Sequence, residues 1–172
     1  MSQAEELADR FVACHREFYE FVNDATPEQW RATGINHPEI RVGDEDEGRP
    51  VGLIVHHVGN SYRNNRSRCQ AWIRGEDPPV PTSEVNKRHA AENPDPDQRE
   101  TLLFLDEQAG ELEAFIRGLG DPELAAPGMF VTGPTTVGDF IGRTLPFHIR
   151  WHLGSIRATW DDLATRTSST TS

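Results

Sequence analysis

The chain has 172 residues, which fits one domain of ordinary size. Its formal net charge of −11 comes from 17 basic and 28 acidic residues. This charge would repel a phosphate backbone, and the arginines between positions 63 and 74 spread around their helix, so we expect no nucleic-acid surface. Two cysteines are too few for a disulfide framework or a thiolate-rich zinc site. No apolar run approaches the ~20 residues that span a bilayer, and no signal pattern opens the chain, so we expect a cytoplasmic protein without a membrane partner.

The first predicted element is a helix from Ser2 to about residue 24. Ser2 and Glu5 have the spacing of a capping box, and the apolar residues that follow recur at intervals of three and four. A second helix-start signal follows, with Thr26 as the cap and Pro27 at the first helical position. The sequence therefore predicts one core-facing helix and then a short helical turn.

A loop and a second long helix come next. Residues 31–49 are rich in glycine and contain an acidic run, which predicts a surface loop. The helix should run from Pro50 or Val51 to Arg74, because Gly75 and a proline pair follow it. Residues 76–96 are predicted to be a long connection with one or two helical turns.

The rest of the chain predicts two more long helices. One begins after Asp97, a second capping residue, and ends near Leu119. Residues 127–134 are predicted to be a turn-rich linker. The last helix should run from Thr135 or Thr136 to about Leu163, and we expect residues 165–172 to form a disordered polar tail.

Four amphipathic helices without a period-two strand between them predict an all-α fold, a four-helix bundle over residues 1–164. The loops are longer than a minimal up-and-down bundle requires. One or more connections can therefore cross the end of the bundle, and the sequence leaves the topology open.

The last helix carries two histidines one turn apart, His148 and His152, in the middle of its apolar side. This spacing is the geometry by which one helix gives two imidazoles to one metal ion. A single buried histidine is more often a hydrogen-bonded core residue, and for this pair the two interpretations are about equal without a third ligand. On the second long helix, His56 projects to solvent, whereas His57 lies beside the core stripe and can reach inward.

A polar row follows His57 along its helix at spacings of four and three: Ser61, Asn64 and Arg68. Such a row is typical of a pocket wall, although an ordinary polar flank explains Ser61 and Asn64 as well. Pro146, inside the last helix, predicts a kink that either widens the pocket or steers the helix.

Other residues that could carry chemistry have weaker signals. Both cysteines, Cys14 and Cys69, lie on core faces and are predicted to be buried and unreactive. His15 could reach the site only if its helix neighbours the other two. We expect no role for His37 and His89, which fall in predicted loops, and three tryptophans are candidates for the pocket wall: Trp72, Trp151 and Trp160.

Two segments resemble signatures of the DinB superfamily, also described as DinB/YfiT-like metalloenzymes. Residues 51–58, Val-Gly-Leu-Ile-Val-His-His-Val, are similar to that family's apolar-apolar-x-His-apolar pattern. Residues 148–156, His-Ile-Arg-Trp-His-Leu-Gly-Ser-Ile, are similar to its His-x-x-x-His-x-Gly-x-Ile pattern. The order, the separation and the helix spacing agree from Leu7 to Leu163, so the resemblance covers nearly the whole chain.

The resemblance implies a four-helix bundle with a crossover connection, a three-ligand site on helices two and four, a homodimer, and zinc or nickel as the metal. Characterised relatives include thiol-dependent enzymes that use mycothiol or bacillithiol, namely a maleylpyruvate isomerase and several S-transferases. Some replace the middle ligand by Glu, whereas His148 keeps the all-histidine set. Many members have no assigned activity, so membership says more about the metal than about the substrate.

Three neutral imidazoles, His57, His148 and His152, would leave a divalent ion with an open coordination position, which is the catalytic pattern. Such an ion lowers the pKa of bound water to about 7 or binds a low-molecular-weight thiol as the thiolate. Our leading hypothesis is a metal-dependent thiol S-transferase or thiol-assisted isomerase with a thiol co-substrate, and with the polar row contacting a small-molecule substrate. The alternatives are a small metal-dependent hydrolase, for which the sequence offers no acid–base carboxylate, and a non-catalytic, stress-related binder of metal or small molecules.

Overall fold

A computed structural model describes residues 2–33 and 48–170 of the chain. Four long helices dominate it: α1 (Gln3–Asn23), α3 (Val51–Ile73), α5 (Gln98–Arg117) and α8 (Leu145–Thr170). Shorter helices lie between them: α2 (Pro27–Arg31), α4 (Ser83–Glu92), α6 (Asp121–Leu124) and α7 (Val137–Asp139). Two short strands, β1 (Pro127–Phe130) and β2 (Gly133–Thr136), and a π-helical turn, Phe140–Thr144, precede α8.

The helix starts follow the capping chemistry of the sequence. The Ser2 hydroxyl accepts the Glu5 backbone N–H at 3.2 Å, and the Glu5 carboxylate accepts the Ser2 backbone N–H at 2.6 Å. Thr26 and Gln29 form the same reciprocal box at α2, and the Asp97 carboxylate accepts from the first turn of α5. Each cap satisfies backbone donors that a helix start leaves unpaired, which is why the predicted starts are correct.

The four long helices form the predicted bundle, and their packing decides its topology. The helix α1 packs against α5 and α8, and α3 also packs against α5 and α8. The connections from α1 to α3 and from α5 to α8 therefore join diagonally opposite helices. Because of this crossing, α3 and α8 are neighbours although more than seventy positions separate them in the sequence.

One hydrophobic core fills the bundle, and each long helix contributes to it. Its largest fully buried side chains lie along all four helices and the π-helical turn: Phe11, Phe18, Ile54, Tyr62, Trp72, Leu105, Leu112, Ile116, Phe140, Ile141, Leu145 and Ile149. Cys14 and Cys69 are buried free thiols, as the sequence predicted, and burial raises the pKa of Cys69 to about 12. Among the described residues, no helix combines the length and the apolar character that a membrane span requires.

The predicted linker at residues 127–134 is instead part of an antiparallel hairpin. The strands β1 and β2 pair in the register Pro127 with Thr136 and Phe130 with Gly133. The hairpin packs on the end of α3, where the Trp72 ring leaves no space for a β-carbon at Gly128. Each strand has four residues, several of them Gly or Pro, so the sequence shows no clear alternation of apolar and polar residues. The segment was therefore predicted to be a linker.

A π-helical turn, Phe140–Thr144, ends two residues before Pro146, the position at which the sequence predicted a kink. A proline cannot donate to the carbonyl four residues earlier, which here belongs to Gly142. The guanidinium of Arg10 on α1 donates to that carbonyl at 3.0 Å. The Gly142 carbonyl, for which Pro146 offers no backbone N–H, therefore has a side-chain donor instead.

The last helix extends to Thr170, beyond the predicted end near Leu163. The expectation of a disordered tail from residue 165 is therefore wrong for residues 165–170. Hydroxyl groups donate to carbonyls one turn earlier, for example Thr165 to Asp161 at 2.9 Å and Ser169 to Thr165 at 3.0 Å. These bonds satisfy the hydroxyls on backbone carbonyls of the same helix and leave its backbone N–H groups in place. Most of the predicted loop at 31–49, including His37, lies outside the described residues.

Candidate metal centre

Three imidazoles from two helices meet between α3 and α8. His148 Nε2 lies 3.3 Å from His57 Nε2 and 3.0 Å from His152 Nε2. The two histidines of α8 are one turn apart on its inner side, and α3 brings His57 against them. The structure therefore brings together the three histidines that the sequence singled out, with their ligating nitrogens within 4.8 Å of one another.

The spacing of these nitrogens fits a shared metal ion. Metal–nitrogen bonds of about 2.0–2.1 Å separate neighbouring ligand nitrogens by about 2.9–3.4 Å when the angle at the ion lies between square and tetrahedral. The two distances above fall in that range. Among residues 2–33 and 48–170, no carboxylate or thiol joins the three. An all-imidazole set of this kind suits zinc, nickel, copper or iron.

Burial favours the neutral form of His57 and His148, which is the form that binds metals. His152 is only 1% exposed, and His57 and His148 are partly exposed. Burial holds the pKa of His57 well below its ordinary value, and His152, His148 and Arg49 lower it further. The pKa of His148 is also held well below its ordinary value, first by burial and then by His152 and Arg49.

Charged, polar and aromatic side chains lie close to the cluster. The guanidinium of Arg49 lies close enough to lower the pKa values of both His57 and His148. The Ser61 hydroxyl is 3.4 Å from His57 Nε2, the nitrogen that faces the cluster. The Trp151 indole stacks on the His152 ring at a centroid distance of 5.3 Å. A ligand beside His57 would therefore meet the Ser61 hydroxyl.

The other predicted pocket residues lie further away. Asn64 is exposed on α3. Arg68 lies about three turns beyond His57 along α3, and its guanidinium donates to the carbonyl of Pro79 at 2.9 Å. Its cationic group also lies over the Phe130 ring at 5.5 Å. These contacts give Arg68 a structural task, and the substrate-binding role of the polar row stays a prediction.

The remaining candidates belong to other parts of the fold. His15 contacts Asp106 at 3.5 Å and packs against the Tyr62 ring, so it does not join the cluster. Trp72 packs against Phe140 beside the hairpin. Trp160 lies about two turns beyond His152 along α8 and stacks on Phe21. Of the three tryptophans, Trp151 is the one at the site.

Sequence reasoning missed a second histidine pair beside the cluster. His89 lies on α4, is 6% exposed, and its Nε2 is 2.9 Å from Nδ1 of His56. Its ring also meets the His57 ring edge-on at 5.6 Å. The expectation that His89 lies in a loop and His56 faces solvent is therefore wrong. The available signal was the spacing of four between Val85 and His89, which predicts one inward face on a short helix.

Burial lowers the pKa values of this pair as well. The pKa of His89 falls to about 4, through burial first and then through His56, Arg49 and Arg63. The pKa of His56 is lowered by burial and by Arg63. Both rings are therefore neutral at pH 7, and one can donate its N–H to the other.

A diagonally connected four-helix bundle with three converging histidines defines the class of protein. The family model described as DinB superfamily matches residues 10–156, and the chain belongs to the DinB superfamily. Among solved structures, the chain is similar to YfiT from Bacillus subtilis, described as a probable metal-dependent hydrolase with an unusual four-helix bundle topology. The match has a TM-score of 0.70 and 20% sequence identity, and covers 95% of this chain and 90% of that chain. Comparison with curated proteins gives no significant match.

Proposed function

We propose that this protein is a metal-dependent enzyme in which His57, His148 and His152 hold one divalent ion, with zinc or nickel as the metal. The observation that carries the proposal is the convergence of three imidazole nitrogens, which lie within 4.8 Å of one another. When bound, such an ion supplies Lewis acidity that makes a nucleophile from a thiol or from water at neutral pH. Three protein ligands leave room for that nucleophile, as catalytic sites do.

The reaction that we propose is transfer or isomerisation assisted by a low-molecular-weight thiol. A thiolate is a soft ligand that zinc binds readily, and three imidazoles leave a coordination position for it. The Ser61 hydroxyl is in a position to donate a hydrogen bond to a ligand beside His57. Among the described residues, no carboxylate belongs to the cluster of ligand atoms.

The second candidate is metal-dependent hydrolysis. The observation that favours it is the similarity to YfiT, which is described as a probable metal-dependent hydrolase. A similarity at 20% identity concerns the fold, so it ranks below the chemistry of the site itself.

Turnover measurements separate these candidates. The protein is purified without an affinity tag, analysed for metal, reloaded with zinc or nickel, and assayed with mycothiol, bacillithiol and other small thiols against electrophilic acceptors. We expect thiol- and metal-dependent conjugation that His152→Ala abolishes and that His15→Ala, which removes a buried histidine elsewhere, retains. Ser61→Ala should raise KM without changing the metal content.

Each other result points to a different protein. Turnover of esters or amides without any thiol would identify the hydrolase. Stoichiometric metal binding without turnover of any substrate would identify a non-catalytic metal-binding protein. Wild-type protein that binds no divalent metal would contradict the proposal at its first step.

A further inference from the structure

The segment at residues 74–97, which joins α3 to α5 and contains α4, crosses the side of the bundle at the metal centre. We call it the strap. It runs along α3 in the opposite direction, because Pro79, near its start, accepts a hydrogen bond from Arg68, while His89, further along, contacts His56 at the beginning of α3. The strap therefore lies beside the part of α3 that carries the polar row and His57.

Among the described residues, the ring contact between α4 and the histidine cluster comes from His89. Within α4, His89 is the buried residue, and the others are exposed or partly exposed. Its ring lies edge-on against His57 at 5.6 Å and its Nε2 is 2.9 Å from His56 Nδ1. His56 is itself held by stacking on Phe104 at 5.0 Å. A helix that buries a single polar side chain has little apolar contact to keep it in position.

We propose that α4 is a movable cover for the three-histidine cluster and that the contact between His56 and His89 is its latch. The proposal rests on the proposed function insofar as the cluster holds a metal. A neutral hydrogen bond shifts an equilibrium by about 2- to 10-fold. Breaking the latch therefore increases the fraction of molecules with an open cover by about that factor, without removing a ligand of the ion.

The first test measures release of zinc. Zinc-loaded protein is mixed with an excess of a chelating dye, and the release rate is compared for wild type, His56→Ala, His89→Ala and the double variant. We expect each single variant to release zinc about 2- to 10-fold faster, and the double variant to be no faster than the singles, because both changes remove the same contact. The matched control is Arg88→Ala, an exposed position of α4 next to His89, and its rate should equal that of wild type.

The second test needs no metal. Metal-free protein is treated with diethyl pyrocarbonate, and modification of the His148 peptide is followed by mass spectrometry. We expect faster modification in both latch variants and no change in the Arg88→Ala control. If His89→Ala does not fold, as judged by circular dichroism, His56→Ala removes the same contact from a more exposed position.

The outcomes distinguish the two proposals. Wild-type protein that binds no zinc contradicts the proposed function. In that case the rates of His148 modification in metal-free protein still test the cover. Rates in folded latch variants that stay within the wild-type range in both tests would overturn the cover. Effects of the two single changes that add in the double variant would show that they act separately and would overturn the latch.

Discussion

Replacing His148, the central histidine, should remove metal binding while leaving the fold in place. His148 Nε2 is the nitrogen that neighbours both others, at 3.0 Å and 3.3 Å. Changes in outer-shell partners of metal ligands cost about 10- to 100-fold in affinity, so loss of a ligand should cost at least about 100-fold. At a free metal concentration 100 times the wild-type Kd, binding stabilises the wild type by about 2.7 kcal/mol and the variant by at most about 0.4 kcal/mol.

These energies translate into a measurable difference in thermal unfolding. For a chain of this size, 1 kcal/mol corresponds to about 2–4 °C in Tm, so metal should raise the wild-type Tm by about 5–10 °C and the His148→Ala Tm by less than about 2 °C. The assay is differential scanning fluorimetry with and without zinc or nickel, with binding measured directly by calorimetry. The His15→Ala control should keep the full metal-dependent rise. A His148→Ala protein that keeps it too would refute the three-histidine site.

Three further predictions concern the fold around the site. Gly128→Ala should destabilise the protein by about 1–3 kcal/mol in denaturant unfolding, because its β-carbon would overlap the Trp72 ring, and an unchanged midpoint would contradict the hairpin packing. Arg10→Met should cost about 1 kcal/mol by removing the donor to the Gly142 carbonyl, and adding Pro146→Ala should recover part of the loss, since alanine restores the missing backbone donor. The buried histidines have lowered pKa values, so below pH 6.5 the unfolded chain binds more protons than the folded one. The metal-free protein should therefore lose stability as the pH falls from about 6.5 towards 4, by up to about 1.4 kcal/mol per pH unit for each histidine, and unfolding free energies that stay flat or rise would contradict this.

The three-histidine cluster could be anticipated because its geometry is largely local. His148 and His152 share one helix, so their spacing alone puts both rings on one side of α8. On α3, the helical periodicity likewise puts His57, and not His56, beside the core-facing side. That these two helices are adjacent was not derivable from periodicity, and the family resemblance supplied it.

The strap was misjudged for the opposite reason. The helix α4 is short, its sequence carries few apolar residues, and its one buried side chain is polar. Such a segment gains its structure from a contact made elsewhere in the fold, here the 2.9 Å contact between His89 and His56. Propensity and periodicity contain no information about that partner.

The amino-acid sequence by itself determined the four long helices, their capping and the two faces of α3 and α8, because these depend on interactions between residues at most four positions apart. The tertiary structure decided which helices are neighbours, how α1 accommodates Pro146, and which histidines His89 of the strap contacts. Those features depend on contacts between residues far apart in the chain, for example Arg10 with Gly142 and His57 with His148. Only the folded packing can bring such groups within hydrogen-bonding distance.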